Sequence, residues 1–138
     1  MKEVPITRTL VPVEQRMQVI GKMFGVAFPI KIEPYVFSTA GMLSDTYSGG
    51  YWEFWQLSNG GFYMAPAIDQ PYLVAGPNQF SGILHSDAFG IVACLYTYSH
   101  LSFVGDSKLS ELCAKHYHAL RDYALSHPAA KLILRAID

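Results

Sequence analysis

Apolar residues in this chain recur with two periods, and the switch between them divides it into elements. The densest run is Gly49-Gly50-Tyr51-Trp52-Glu53-Phe54-Trp55-Gln56-Leu57-Ser58-Asn59-Gly60-Gly61-Phe62-Tyr63-Met64-Ala65-Pro66. Two aromatic-rich stretches flank Asn59-Gly60, whose tolerance of positive φ makes it the strongest short hairpin signal. The expected element is a β-hairpin over 51–66 with Asn59 and Gly60 as its two loop residues. In that register Leu57 faces Phe62, Trp55 faces Met64 and Glu53 comes level with Pro66. Tyr51, Glu53, Trp55, Leu57, Phe62 and Met64 then share one face, and Trp52, Phe54, Gln56, Tyr63 and Ala65 the other. Large apolar groups on both faces call for cover on both, so the hairpin is expected at the centre with helices against it. Pro66 has no amide hydrogen and should end the second strand.

Before the hairpin, the stretch to Val11 alternates Val4, Ile6 and Leu10 with prolines and reads as an extended arm. Pro12 suits the start of a helix carrying Val13, Met17, Ile20 and Phe24 on one stripe and ending near Gly25. Ile30-Lys31-Ile32 reads as a short strand or connection, and Pro34 opens a second helix through Leu43. After Pro66, short runs at 72–75 and 80–84, separated by Gly76-Pro77-Asn78, complete a four-stranded antiparallel meander. Gly82 marks a bulge or a close approach. Ser86 or Asp87 is expected to cap a helix from Ala88 to about Phe103, apolar nearly all round and therefore central. Gly105 ends it. Asp106 or Ser107 caps the next helix, with Leu109, Leu112, Cys113, His116, Leu120, Tyr123 and Ala124 as its stripe. His127-Pro128 breaks the chain before a last helix. The fold class is α+β: a single domain over 1–138, a small antiparallel sheet packed with several helices.

At 138 residues, half of them hydrophobic and 15% charged, the chain can bury a full core. No apolar run reaches the roughly 20 residues that span a bilayer, and the first residues lack a basic-then-apolar leader, so a cytoplasmic protein without a membrane partner is expected. Charge is unevenly placed. Residues 1–31 carry net +3, residues 108–138 net +2, and residues 32–107 net −6 with no Lys or Arg. A central segment without cations cannot grip phosphates, so strong nucleic-acid binding is not expected. Nor does an overall charge of −1 suit an imitation of DNA, which carries about one charge per 1.7 Å of axis.

Chemistry is sparse. His116 and His118 sit roughly 200° apart on a helix and cannot share a metal. His85, His100 and His127 have no ligand-like spacing, and Cys94 and Cys113 read as core thiols. No phosphate loop and no serine elbow is present, and no cofactor is implied. Glu53, an acid among aromatics, is the one candidate general acid or base. Asp87 is accounted for as a helix cap.

Three blocks carry a resemblance. Gly49-Gly50-Tyr51-Trp52-x-Phe54-x-x-Leu57-Ser58-Asn59-Gly60-Gly61-Phe62-Tyr63-Met64-Ala65-Pro66 resembles the signature of the ArdB/KlcA-type antirestriction proteins. So do Phe80-Ser81-Gly82-x-Leu84-x-x-Asp87-Ala88-x-Gly90-Ile91-Val92-Ala93 and the C-terminal Tyr117-x-x-Leu120-Arg121-Asp122-Tyr123-Ala124, His127-Pro128 and Arg135-Ala136-Ile137-Asp138. The blocks run in family order over 49–138; residues 1–48 match loosely. Trp55 stands where a tyrosine is usual and Phe89 where a small residue is usual, so local repacking is expected. The resemblance implies a plasmid- or mobile-element-borne protein that protects incoming DNA from type I restriction–modification enzymes. It brings no catalytic residues.

The leading expectation is therefore a non-enzymatic inhibitor of restriction that does not mimic DNA. Its partner would be a type I restriction complex or a host factor controlling it. Among the family-matching polar positions, Arg121, Asp122, Arg135 and Asp138 are not obviously required for packing and are the candidate partner-binding residues. Arg121 is within reach of a carboxylate such as Asp138, and Arg135 and Asp138 are spaced for a modest pair. Two alternatives stay open: a DNA-binding accessory protein using Arg16, Lys22, Lys115, Lys131 and Arg135 on the basic terminal helices, and a small hydrolase using Glu53.

Overall fold

The computed structural model describes residues 4–138. Among them are five strands, β1 (Arg8–Leu10), β2 (Trp52–Leu57), β3 (Phe62–Pro66), β4 (Pro71–Ala75) and β5 (Ser81–His85). Five α-helices accompany them: α1 (Arg16–Met23), α2 (Glu33–Leu43), α3 (Ser86–Val104), α4 (Ser107–Ala124) and α5 (Ala130–Ile137). The α+β class is the expected one. The strand pairing differs: β1-β2-β3 form one antiparallel sheet and β4-β5 a separate two-stranded one.

The break in the meander has a local cause. Phe62 and Met64 direct their backbone groups away from β2, where a fourth strand would pair. Those groups are met by a helix instead. Tyr98 donates its hydroxyl to the Phe62 carbonyl at 2.8 Å, and the Met64 N–H and C=O contact Cys94 Sγ at 3.5 and 3.6 Å. Side chains of α3 thus close the edge of β3, and β4 is left to pair with β5 alone. The extended arm supplies the other neighbour, with Arg8 opposite Leu57 and Leu10 opposite Trp55.

The hairpin is present, but its register is shifted by one residue. Trp55 lies opposite Tyr63 and Phe54 opposite Met64. Gly60 N–H donates to Leu57 C=O at 3.0 Å, Leu57 N–H donates to Gly61 C=O at 2.9 Å, and Gly60 has φ +88°. This is a type I turn followed by a left-handed glycine, a loop of Ser58, Asn59 and Gly60 rather than the two-residue turn expected. Because strand side chains alternate, the shift moves Phe62 and Met64 onto the face of Trp52 and Phe54. Gly60→Val meets no steric neighbour; its penalty is the positive φ alone. Thermal melts should show a loss of about 1–3 kcal/mol, and an unchanged melting temperature would refute the loop as drawn.

α3 is the centre of the molecule and packs against α4, α2, α5 and β3. Every residue from Ala88 to Leu95 is buried, as its continuous apolar sequence requires. The large Phe89 stacks on Tyr72 at 4.3 Å, and so ties the small sheet to the central helix. In the N-terminal helix the expected stripe is only half used. Ile20 and Phe24 are buried, whereas Val13 sits in a 3-10 turn and Met17 on the lip of an open apolar groove. Ile30 to Ile32 belong to a π-helical turn, Phe28–Ile32, not to a strand. Asp106 caps α4 as expected, accepting from the Leu109 N–H at 2.9 Å.

His116, on the buried stripe of α4, packs against both the Phe24 and Tyr98 rings, and its Nδ1 is buried without a partner. Burial, with Lys115 adding to it, pushes its imidazole pKa down to about 4. The unfolded chain therefore takes up this proton first as pH falls below about 6.5. The contribution of neutral His116 is complete above that pH and lost toward pH 4, at about 1.4 kcal/mol per unit at most. Urea denaturation between these pH values should show the slope in the native protein and a flatter profile in His116→Phe.

Candidate functional site

The first turn of α3 departs from expectation. Neither Ser86 nor Asp87 caps the helix: His85 occupies the N-cap position without a side-chain bond. Ser86 turns back instead, its hydroxyl donating to the Ile68 carbonyl and accepting from the Gln70 N–H at 3.0 Å. Asp87 turns inward and joins four parts of the chain. Its Oδ1 accepts from the Tyr63 hydroxyl on β3 and from Arg8 Nη1 on β1, each at 2.8 Å, and Arg8 Nη1 also reaches the Tyr63 oxygen at 2.8 Å. Its Oδ2 lies 2.8 Å from His127 Nε2, in the turn before α5.

The hydrogen-bond pattern assigns the His127 tautomer. The Ala129 N–H donates to Nδ1 at 3.0 Å, so the ring proton sits on Nε2 and points at Asp87. Burial alone would raise the Asp87 carboxyl pKa. Hydrogen bonds from His127 and Tyr63, with the charge of Arg8, outweigh it and hold the group below the usual carboxylate range. Burial, and then the adjacent carboxylate, push the Tyr63 hydroxyl well above the ordinary phenol value. The Arg8 guanidinium lies 3.8 Å from the Trp55 ring centroid, so the indole gives the arginine a stacking platform.

Arg8, Asp87 and His127 of this cluster line a cleft of ≈ 490 Å³, with Tyr63 buried behind them. Glu53, Trp55 and Arg8 lie on one side, Asp69, Ile83 and His85 on another, and Pro128 and Leu132 close it. Glu53 is half-buried there, opposite Ala65 rather than Pro66. No group of three His, Cys, Asp or Glu among the described residues is arranged to hold a metal.

The four candidate partner-binding residues lie elsewhere. Arg121 is half-buried near the end of α4 and Asp122 is exposed beside it; Arg135 and Asp138 are exposed at the end of α5. None enters an ion pair among the described residues. The expected Arg121–Asp138 and Arg135–Asp138 contacts are therefore not formed. Arg135 leans toward the Phe80 ring at 5.8 Å. The end of α5 is anchored through its backbone: Asn78 Nδ2 donates to the Arg135 and Ala136 carbonyls, and the Tyr96 hydroxyl donates to the Ala136 carbonyl at 2.6 Å. Side chains at 122, 135 and 138 are left to the surface.

A model of the "Antirestriction protein" family matches residues 45–138, about two-thirds of the chain. The chain belongs to the antirestriction protein family. Tyr63, Asp87 and His127 fall within the matched region and Arg8 outside it. Full-length similarity extends further. Antirestriction protein KlcA of Escherichia coli is 35% identical over 136 residues, covering 97% of this chain and 96% of that protein. Protein YfjX of E. coli K12 is 37% identical over 140 residues, covering 99% and 90%. A solved structure aligns at TM-score 0.90 with 36% identity, covering 100% of this chain and 99% of that one. It comes from work on the KlcA and ArdB proteins, described as having a novel fold and antirestriction activity against type I DNA restriction systems in vivo but not in vitro.

Proposed function

We propose that this chain relieves type I restriction inside the cell, by contact with a protein and without catalysis or imitation of DNA. The observation that carries this reading is the end-to-end likeness to the KlcA/ArdB structure, at 36% identity and TM-score 0.90. The activity described for those proteins in vivo but not in vitro supports a partner that operates only in the cellular setting. That partner is a host factor controlling the restriction complex, or the complex as it works in the cell.

Physical features agree. A net charge of −1 gives no phosphate-like surface. The Asp87 cluster holds a carboxylate, an imidazole and a phenol, yet both His127 nitrogens are engaged within the protein and Tyr63 is far from ionising. Such a group ties elements together; it has no free base to offer a substrate. The DNA-binding alternative requires the basic residues to share a face. Lys22 and Lys115 do line one groove with Lys108, but Glu111 lies among them. Arg16 is folded onto Phe54 and bonded to Tyr51 and Trp52. Fluorescence anisotropy with duplex DNA should give micromolar or weaker affinity at physiological salt, the non-specific range; nanomolar binding would restore that alternative.

The exposed Asp122, Arg135 and Asp138, none of them in an ion pair among the described residues, and the half-buried Arg121 are the proposed partner contacts on α4 and α5. The test is phage plating on a type I-restricting host with the native protein and with the Asp122→Ala/Arg135→Ala/Asp138→Ala variant, after circular dichroism and melting show both to be folded. Native protein without relief of restriction would refute the function. Full relief by the folded triple variant would move the contact surface elsewhere.

A further inference from the structure

The two-stranded sheet buries one face and leaves the other open. Tyr72, Val74 and Leu84 point into the core, whereas Leu73 and Ile83, directly opposite each other across the ladder, are 60% and 51% exposed. Met42, 58% exposed at the end of α2, lies beside them, and with Asp45 these side chains line a concavity of ≈ 420 Å³. Ile83 also lines the cleft that holds Glu53 and Asp69, so the two hollows share a wall. A cross-strand pair of large aliphatics usually anchors a buried face. Here it is ringed by carboxylates. Asp45, Glu53 and Asp69 enter no pairing with Lys or Arg, and Arg8, the one Lys or Arg lining either hollow among the described residues, is bound by Asp87.

We propose that the outer face of the β4–β5 hairpin is a docking surface for a basic polypeptide segment carrying apolar anchor residues. Charge complementarity selects this occupant. The concavity beside Leu73 and Ile83 is lined entirely from residues 32–107, which carry six acids and no Lys or Arg; the adjoining cleft adds Arg8 and the uncharged or His side chains of 127–129 and 132. Nucleic acid and anionic lipid surfaces are repelled by such a rim. A partner presenting lysine or arginine around leucine-like anchors meets the aliphatic pair with its apolar groups and the rim with its charges. Thr46 already closes part of the β4 edge, its hydroxyl accepting from the Leu73 N–H at 3.2 Å, so recognition falls to the side-chain face rather than to strand addition. This inference adds a second surface to the proposed function; its plating arm rests on that reading and its peptide arm does not.

The first arm of the test uses the full chain, 15N-labelled, titrated with a ten-residue peptide alternating leucine and lysine. A leucine–glutamate peptide serves as control. The basic peptide should shift the amides of Leu73, Ile83 and Asp45, with binding weakened as salt rises from about 0.05 to 0.3 M. Asp45→Lys/Asp69→Lys should abolish the shifts. Shifts elsewhere, or equal response to the acidic peptide, overturn the proposal. The second arm is phage plating with Leu73→Ser/Ile83→Ser and with the charge variant, all four positions being exposed. Relief should fall about tenfold or more in both; full relief in both, with native circular dichroism, overturns the proposal. Native protein that gives no relief refutes the restriction reading alone and leaves the peptide arm to decide this one. A dimer in sedimentation that Leu73→Ser/Ile83→Ser dissolves would identify a second copy as the occupant and overturn the basic-partner assignment.

Discussion

Gly90→Val should unfold the protein at temperatures where the native chain is intact, with a loss of more than about 3 kcal/mol. Gly90 is the point where α3 crosses β3. A Cβ built there lies 2.4 Å from Ala65 Cβ and 2.5 Å from both Ala65 Cα and the Met64 carbonyl oxygen. Two of these three atoms are backbone, so no rotamer change relieves the clash. The helix must move, and the contacts that close the β3 edge move with it. Cys94 to Met64 and Tyr98 to Phe62 lie one and two turns further along α3 and depend on the same separation. Even Gly90→Ala should destabilise, although alanine is favoured over glycine in a helix by about 1 kcal/mol. Gly41 in α2 supplies the control. Nothing lies within 4 Å of its built Cβ, so Gly41→Ala should gain about 0.5–1 kcal/mol. Melting curves of the three variants decide the point: Gly90→Ala as stable as Gly41→Ala would refute the close approach.

How far such features can be read from the sequence depends on how local their causes are. α3 and α4 were legible because each encodes its environment within its own span, one by a continuous apolar run and the other by a stripe with Asp106 before it. The hairpin was legible as an element but not in register, because Asn59-Gly60 serves both a two-residue turn and the last two positions of a three-residue loop. The choice is made by Asn59, whose side chain accepts from the Gly61 N–H and donates to the Ala119 carbonyl on α4, sixty residues away. The four-stranded meander failed for the same kind of reason. Whether β3 continues into β4 depends on Cys94 and Tyr98, which nothing in residues 62–75 announces. The candidate site was the least legible part. Ser86-Asp87 before an apolar run satisfies the capping pattern so well that no other role is called for. Its partners Arg8, Tyr63 and His127 come from three separate elements with no motif spacing. One signal was present: Tyr63 on a strand buried on both faces carries a hydroxyl that needs an acceptor, and Asp87 is the one carboxylate on α3.

Asp87→Ala should be the most damaging change that introduces no clash, lowering stability by about 2–4 kcal/mol at neutral pH. The substitution removes the acceptor of three donors at once, and each responds differently. Arg8 is partly exposed and recovers water, so its share is small. Tyr63 is fully buried; it still accepts from Arg8, but its own proton has nowhere to go. His127, with 11% of its side chain exposed, is left with an Nε2–H facing a void. Switching tautomer does not rescue it, because Nδ1–H would then meet the Ala129 N–H. Asp87→Asn separates these contributions. Its amide oxygen can still accept from Tyr63 and Arg8, but its NH2 faces the Nε2 proton, so about half the loss should remain. The pH dependence identifies the ionised form as the active one. The folded carboxyl titrates below its unfolded value of about 3.9, so its stabilisation is complete above that pH and is lost as pH falls through the lower folded value. Both variants should therefore lack the stability loss that the native protein shows below about pH 4, while keeping the separate slope from His116 between that pH and neutrality. Urea titrations at pH 7, 5 and 3 would show this as curves converging in acid. Curves that stay parallel down to pH 3 would mean that Asp87 is tied by packing alone and that its three hydrogen bonds are exchanged for water at no net loss.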